Sequence, residues 1–376
     1  TNTVPEGNAI VYCEGAFGTT NGKTAHGLVR RSNRYKVVSV VDSHHVGEDA
    51  GLLLDGRSVG IPIKGDIIEA YRDAFERCVD PTHLVIGVAP DGGRLDPEML
   101  CDIRRAIRLR LNIDCGLHDF LTDDQSIVDL AADHGVTLRD IRKPPPRNQL
   151  HFFSGKVNEV RSLKVAVLGT DSAVGKRTTA WLLVDALASE GLSAEMIGTG
   201  QTAWMQGARY GIVLDSLVND YISGEIEHAV LSAWRECRPD VIVIEGQGSL
   251  LNPAYPGGFE ILAAGRPDVV ILQHAPTRRD YDGFPGHRMH GLQRQIDAVE
   301  TVSGKPVIAI TVNHEGVPPG EISAVCRAIT EETLLPAVDV LRDGADRLVN
   351  ILKGRLSRRS MTYNHVEGDT YHVGVA

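Results

Sequence analysis

The chain has no apolar run longer than a strand. A bilayer crossing by a helix needs about 20 consecutive apolar residues, so no membrane span and no membrane partner are expected. Positive charge is in deficit: 39 Lys and Arg against 49 Asp and Glu leave a net charge of −10. Nucleic-acid surfaces carry a basic footprint, so no nucleic-acid partner is expected, although a local positive pocket for an anion stays open. Cysteine is scarce, and Cys13, Cys78, Cys101, Cys115, Cys237 and Cys326 show no paired spacing. That excludes a disulfide frame or a zinc site and reads as small buried side chains of a reduced protein. Thr1 is not followed by the charged and apolar segments of a secretion leader. A cytoplasmic location is the expectation. Neither a fixed-period repeat nor a low-complexity tract is present.

A chain of 376 residues exceeds one ordinary core, which makes two domains the expectation. Its 42% hydrophobic and 23% charged residues are those of a globular protein. The clearest break is Arg142-Lys143-Pro144-Pro145-Pro146-Arg147-Asn148. Three prolines cannot continue a helix or a central strand and favour a stiff extended linker. The boundary is placed there, giving domains 1–146 and 147–376.

Both halves alternate strand and helix. In the first, strands are expected over 9–13, 36–41, 83–88 and 112–115, with helices over 23–31, 67–78, 97–109 and 125–134. A glycine-rich stretch (Gly15, Gly18, Gly22) follows the first strand, and Asp42 ends the second. This is the outline of a nucleotide-binding βαβ unit, but the glycines do not form G-x-G-x-x-G. A Rossmann-like support domain without a tightly bound dinucleotide is expected. In the second half, strands are expected over 164–168, 194–197, 241–244, 269–273 and 307–312, and helices over 174–188, 216–236, 291–301 and 321–331. These near-continuous apolar strands fit a parallel sheet covered on both faces. The fold class is α/β: an N-terminal Rossmann-like parallel-sheet domain followed by a P-loop NTPase-like doubly wound domain. Ligands of such sheets bind beyond the carboxyl ends of the strands.

The residues after those ends carry the chemistry. The first strand of the second half runs into Gly169-Thr170-Asp171-Ser172-Ala173-Val174-Gly175-Lys176-Arg177-Thr178-Thr179. Strand, glycine-bounded loop and helix start form a phosphate-binding loop, with backbone N–H groups, a helix N-terminus and Lys176 facing an anion. Gly169, Thr170, Ser172, Ala173, Val174, Gly175, Lys176, Arg177 and Thr178 are the candidate cofactor-binding residues. The third strand ends in Glu245-Gly246-Gln247-Gly248-Ser249, an acid that could hold Mg²⁺ or accept a proton. The second ends in Gly198-Thr199-Gly200-Gln201-Thr202-Ala203-Trp204-Met205, where Gln201 offers an amide and Trp204 an apolar wall. The fourth ends in Gln273-His274-Ala275-Pro276-Thr277-Arg278-Arg279-Asp280-Tyr281, whose adjacent arginines suit carboxylates or phosphates. Each also has a plainer reading: a structural turn for Glu245, a tight turn with a core tryptophan around Gln201, and a solvated loop for the arginines. His287 and His290 lack a third ligand and read as surface residues; Arg104, Arg105, Arg108 and Arg110 read as a solvated helix face.

One residue bears on which phosphate is held. The usual loop follows its lysine with Ser or Thr, whose hydroxyl binds Mg²⁺; here Arg177 stands there. Two unit charges at about 4 Å in a surface-like environment interact by roughly 4 kcal/mol, and a divalent ion doubles that repulsion. Thr178 sits about 100° further round the helix. The loop therefore suits a phosphate ligand held without metal. Coenzyme A is such a ligand, with a pyrophosphate, a further phosphate and a distant sulfur.

Taken together, segments 169–179, 198–205, 245–250 (Glu-Gly-Gln-Gly-Ser-Leu) and 272–278 (Leu-Gln-His-Ala-Pro-Thr-Arg), with Gly-Leu-His-Asp-Phe-Leu-Thr-Asp-Asp at 116–124 and Asp-Ile-Arg-Lys-Pro-Pro at 140–145, resemble a two-domain P-loop family that long lacked an assigned function. The resemblance covers nearly the whole chain and is specific as a set. The family includes D-glutamate N-acetyltransferase, so it implies acetyl transfer from acetyl-CoA, as co-substrate, to the amine of an acidic amino acid in D-amino-acid catabolism. On that reading Arg278 and Arg279, with Gln201 and Tyr281, bind the substrate, and Glu245, Asp171 or His274 takes the ammonium proton. No metal is expected. The loop is also similar to the Gly-Thr-Asp form of the dethiobiotin synthetase branch, which would make the chain an ATP- and Mg²⁺-dependent ligase or kinase. A non-catalytic nucleotide-binding regulator is the third alternative. A homo-oligomer is expected from the frequency of symmetric oligomers among such enzymes.

Overall fold

A computed structural model of the protein describes residues 4–368. It divides into two units: the segment up to Gln149 together with Gly200–Val218, and Leu150–Thr199 with the chain from Asn219 onward.

The first unit is built on strands β1 (Gly7–Tyr12), β2 (Tyr35–Val41), β3 (Ile63–Lys64), β4 (His83–Ile86), β5 (Asn112–Cys115) and β6 (Leu138–Asp140). All pair in parallel, in the order β3-β2-β1-β4-β5-β6. That is the doubly wound Rossmann order, with the reversal beside β1. Helices between the strands start where the sequence supplies caps. Asp66 accepts from Glu69 N–H, Asp96 from Met99 N–H ahead of Pro97, and Asp124 from Ser126 N–H. Each such cap contributes about 1 kcal/mol. Ile10, Val40, Leu84, Ile103, Ile107 and Ile113 are fully buried between sheet and helices.

Segment 200–218 comes after the phosphate loop in sequence, yet it groups with the first unit. It contains the helix Gln201–Gln206 and the short strand β9 (Tyr210–Gly211). Gln206 Nε2 donates to Gly27 O and Arg31 O, the Thr202 and Thr24 hydroxyls pair at 2.8 Å, and Met205 is fully buried in the first core. The guanidinium of Arg34 lies 3.7 Å from the Trp204 ring centre, and Arg139 lies 5.0 Å from it. The anchoring of this segment depends on groups up to 179 residues away.

In the second unit six strands run parallel in the order β13-β12-β11-β7-β10-β8. They are β7 (Leu163–Gly169), β8 (Ala194–Gly198), β10 (Val241–Glu245), β11 (Val269–His274), β12 (Val307–Val312) and β13 (Ala337–Val338). All residues of β7, β10 and β12 are buried, as the unbroken apolar runs require when helices cover both faces. The chain builds outward on one side of β7 with β8 and β10, then crosses to the other with β11, β12 and β13. That reversal is where a doubly wound sheet opens a crevice for a ligand.

Candidate active site

Strand register assembles the site. Val167 pairs with Glu245 on one side of β7, and Gly169 pairs with Gln273 on the other. Every residue just past these positions therefore emerges at one edge of the sheet. Gly246 N–H donates to Val167 O and Thr170 N–H to Gln273 O, extending the ladder into the loop on both sides.

The loop between β7 and the helix Lys176–Ser189 is closed from within. Gly175 has φ +105°, a conformation side chains resist, and it hands the chain directly into the helix without a side-chain cap. As a glycine, the N-cap residue adds no side-chain hydrogen bond to the helix start, and the N–H of Thr179 meets its intrahelical acceptor, Gly175 O. Gly169 leaves room for Lys176; a Cβ there would come within 2.9 Å of its Cδ and of Val174 Cγ2. Lys176 reaches back across the loop and donates from Nζ to Asp171 O at 2.6 Å. Burial lowers its pKa to about 8, against the pull of Asp171 and Glu245. An ammonium held out of water at the N-terminal end of a helix is the chemistry that an anion seat requires.

Asp171 has no exposed surface. Its carboxylate accepts from Asn252 Nδ2 at 2.8 Å, Arg278 at 3.0 Å, Asp282 N–H at 2.8 Å and Ser172 N–H at 2.7 Å. Three of these four donors tie the loop to the segments after β10 and β11, and Ser172 N–H closes the loop on itself, so the carboxylate is occupied on all sides. Arg278 also donates to Ser172 O at 2.6 Å and lies 3.7 Å from Glu315. Its guanidinium is thereby committed to the loop. Arg279 is exposed, and among the described residues only its backbone carbonyl is engaged, by Met289 N–H. The adjacent arginines thus differ: the first braces the loop, the second presents its guanidinium to solvent.

Glu245 is buried and accepts from Thr199 N–H at 2.9 Å. Burial raises its pKa, while the charges of Arg177 and Lys176 oppose the rise. The acid across the sheet top therefore already faces the cation that replaces the usual hydroxyl. His274 points its Nδ1 at the Thr170 hydroxyl (3.0 Å), and burial lowers its pKa to about 4, so it is a neutral imidazole near pH 7. The Thr179 and Thr311 hydroxyls both donate to Gln273 Oε1, the latter at 2.6 Å. Tyr281 is buried, its hydroxyl 2.8 Å from His290 Nδ1 and 3.3 Å from Gln295 Nε2. His290 is therefore engaged with Tyr281, and among the described residues no group of three or more His, Cys, Asp or Glu side chains is disposed to hold a metal ion. Gln201 is buried in the first unit, against Gly116.

Sequence reasoning passed over several groups at this edge. Asn252 secures Asp171, Gln295 Nε2 reaches Thr170 O, and Asn313 Nδ2 donates to Val174 O at 3.0 Å. After Asn313, His314 pairs through Nδ1 with Asp339. Asn313 and His314 directly follow β12, and Asp339 directly follows β13. The rule that singled out Glu245 and His274, the residue after a strand end, points to them too.

Both halves match known families. Residues 151–349 match the family described as a domain of unknown function, DUF1611, C-terminal P-loop domain. Residues 43–144 match its N-terminal, Rossmann-like counterpart. The chain belongs to the DUF1611 family. Among its relatives is a protein of a Pseudoalteromonas species named D-glutamate N-acetyltransferase, 32% identical over 271 residues that cover 70% of this chain and 79% of that one. A protein of the same name from Tritonibacter scottomollicae is 30% identical over 279 residues, covering 72% and 80%. A crystal structure of a DUF1611 protein from Anabaena variabilis superposes with a TM-score of 0.85 at 27% identity, covering 93% of this chain and all of that one. The two parallel-sheet α/β halves are thus those of the DUF1611 family, Rossmann-like first and P-loop second. No helix among the described residues is long and apolar enough to cross a membrane.

Proposed function

We propose that this DUF1611 protein is an acetyl-CoA-dependent N-acetyltransferase acting on the amine of an acidic amino acid, D-glutamate in the first instance. The observation that carries the reading is the cation in the phosphate loop. Arg177 occupies the position of the Mg²⁺-binding hydroxyl, and its charge acts on Glu245, the acid that would otherwise share the metal. With the Thr179 hydroxyl bound to Gln273, the loop retains cationic and backbone N–H donors and a partly neutralised acid. That set fits the phosphates of a coenzyme held without a divalent ion. The relatives' printed name supports the acyl group and the amino acid.

Lys176 and the N-terminal turn of the helix would hold the coenzyme phosphates, with Ser172, Ala173, Val174 and Thr178 lining the loop. Asp171 and Arg278 keep that turn in shape. Arg279, the exposed member of the arginine pair, would receive a substrate carboxylate through two-point hydrogen bonds. Binding energy from the remote phosphates fixes the thioester relative to the amine, which is how a ligand's non-reacting end contributes to rate.

The test is incubation with acetyl-CoA and D-glutamate in EDTA, following free thiol and N-acetylglutamate. Thiol release that tracks D-glutamate and persists in EDTA supports the reading. Phosphate release requiring ATP and Mg²⁺, without thiol release, would replace it by the ligase or kinase alternative.

A further inference from the structure

Any transfer of an acyl group to an amino acid needs a proton acceptor, because the substrate nitrogen arrives as an ammonium ion. The three acids and bases named from sequence are each engaged elsewhere. Asp171 is held by four donors, His274 Nδ1 faces a hydroxyl and burial keeps its pKa near 4, and Glu245 lies buried between Thr199 N–H and the loop cations.

The pair after β12 and β13 differs from all of them. His314 Nδ1 meets the carboxylate of Asp339, which is fully buried. The other oxygen of Asp339 caps the short helix that follows, accepting from Leu341 N–H (3.1 Å) and Arg342 N–H (3.2 Å). The carboxylate is thus fixed on both sides, and it can only accept from His314. That sets the proton on Nδ1 and leaves the lone pair on Nε2. The imidazole is about a third exposed, and the described residues give its Nε2 no hydrogen bond. Its chain neighbours anchor it beside the phosphate loop. Asn313 donates to Val174 O and takes the register of His274 through its own N–H (2.7 Å), while Glu315 O accepts from Thr277 and the Glu315 carboxylate faces Arg278. His314 therefore lies one residue, about 3.8 Å of chain, from a group bonded to the loop. A base held by a buried carboxylate and open at its far nitrogen is the arrangement general-base chemistry requires.

We propose that His314 is the catalytic base of the transfer and that Asp339 is its positioning residue; the inference rests on the acetyltransferase reading above. The substrate ammonium gives one proton to Nε2, which passes it to solvent. The neutral amine then attacks the thioester carbonyl carbon, so a C–N bond forms as the C–S bond breaks and sulfur leaves with the electron pair. The second nitrogen proton travels through Nε2 to that sulfur. The products are the N-acetyl amino acid, free coenzyme thiol and one proton. Asp339 faces the imidazole directly; Arg342 and Asp343 follow it on the helix it caps, Cys326 of the helix Ile322–Thr333 lies near Asp339, and Glu315, next in the chain, pairs with Arg278.

The experiment compares wild-type protein with His314→Ala, Asp339→Asn and Glu245→Gln by thiol release over a pH series, with thermal unfolding as a control. His314→Ala should lower kcat about 10²- to 10⁴-fold, leave acetyl-CoA half-saturation within about twofold, and recover part of its rate with added imidazole. Asp339→Asn keeps a cap acceptor but should lose the downfield Nδ1–H proton resonance of the pair and lower kcat. The acid limb of the wild-type profile should vanish in His314→Ala and persist in Glu245→Gln. A kcat within threefold of wild type, a loss confined to acetyl-CoA half-saturation, or an acid limb abolished only in Glu245→Gln would overturn the assignment. A wild-type protein that releases no thiol from any acidic amino acid removes the transferase reading, and this one with it.

Discussion

The two units begin from the same plan, a central parallel strand, a glycine turn and a helix, and they end in opposite states. In the first, the acid that closes β2 turns inward. Asp42 is fully buried and accepts from Gly15 N–H (3.2 Å), Phe17 N–H (2.9 Å) and His44 N–H (2.9 Å). The helix after the turn donates Ala25 N–H to Gly87 O. The backbone donors that a phosphate would use are taken by the protein itself. In the second, the buried acid Asp171 draws on side chains of neighbouring loops as well as on Asp282 N–H and Ser172 N–H, and Lys176 reaches back across the turn to Asp171 O. The lesson is that a shared βαβ outline leaves the hydrogen bonding of the turn undetermined. What decides is whether the turn's N–H groups are bonded internally or left facing a ligand.

The largest effect that would sharpen this contrast is on Asp171. Asp171→Ala removes the buried carboxylate partner of Arg278 and the acceptor of the Asn252 amide and two N–H groups, so the second unit should lose about 3–5 kcal/mol, measured by denaturant unfolding. Asp42→Ala removes only backbone-bonded acceptors. It should cost about 1–3 kcal/mol and leave acetyl-CoA half-saturation unchanged at temperatures where the protein is folded. A change in half-saturation in that variant would break the comparison.

Lys176→Ala comes next. Losing one charge-assisted contact of about 1.5–3 kcal/mol should raise acetyl-CoA half-saturation roughly 10- to 100-fold, with the fold intact by circular dichroism. The same lysine sets a pH dependence. Its pKa is held at about 8 by burial, so it is charged below that pH and loses its proton above it. Coenzyme affinity, measured by calorimetry, should therefore be flat at lower pH and fall as pH rises beyond 8, approaching roughly tenfold per unit. A flat profile to pH 9.5 would mean that the ammonium does not touch the bound phosphates. The smallest effect is Arg177→Ser, which restores the hydroxyl of ordinary phosphate loops. It should bring a Mg²⁺-dependent gain in ATP affinity of a few-fold and weaken coenzyme binding.

Much of this was legible along the chain. The strands at 164–168, 241–244 and 307–312 lie within the observed ones or end one residue short, because unbroken Val/Ile runs bounded by turns have few alternatives. The two- and three-residue strands Ile63–Lys64, Leu138–Asp140 and Ala337–Val338 were not legible. Such edge strands exist only because a neighbour pairs with them, and their residues carry no periodic pattern of their own. Residue chemistry at strand ends was readable as a set of candidates, but the division of labour within it was not. Nothing in the sequence distinguishes Arg278 from Arg279, and no spacing connects His314 to Asp339 or Gln206 to Gly27.

The sequence by itself determined the alternation of strand and helix, the phosphate loop, and the substitution of an arginine for a metal-binding hydroxyl. These follow from local backbone chemistry and side-chain charge, which act within a few residues. Only the tertiary structure decided which carboxylate ties the loop, which arginine stays exposed and which imidazole is held by a buried acid. Those outcomes depend on strand register and on hydrogen bonds between segments tens to more than a hundred residues apart, where burial, not proximity in sequence, decides whether a polar group is satisfied internally or left to meet a ligand.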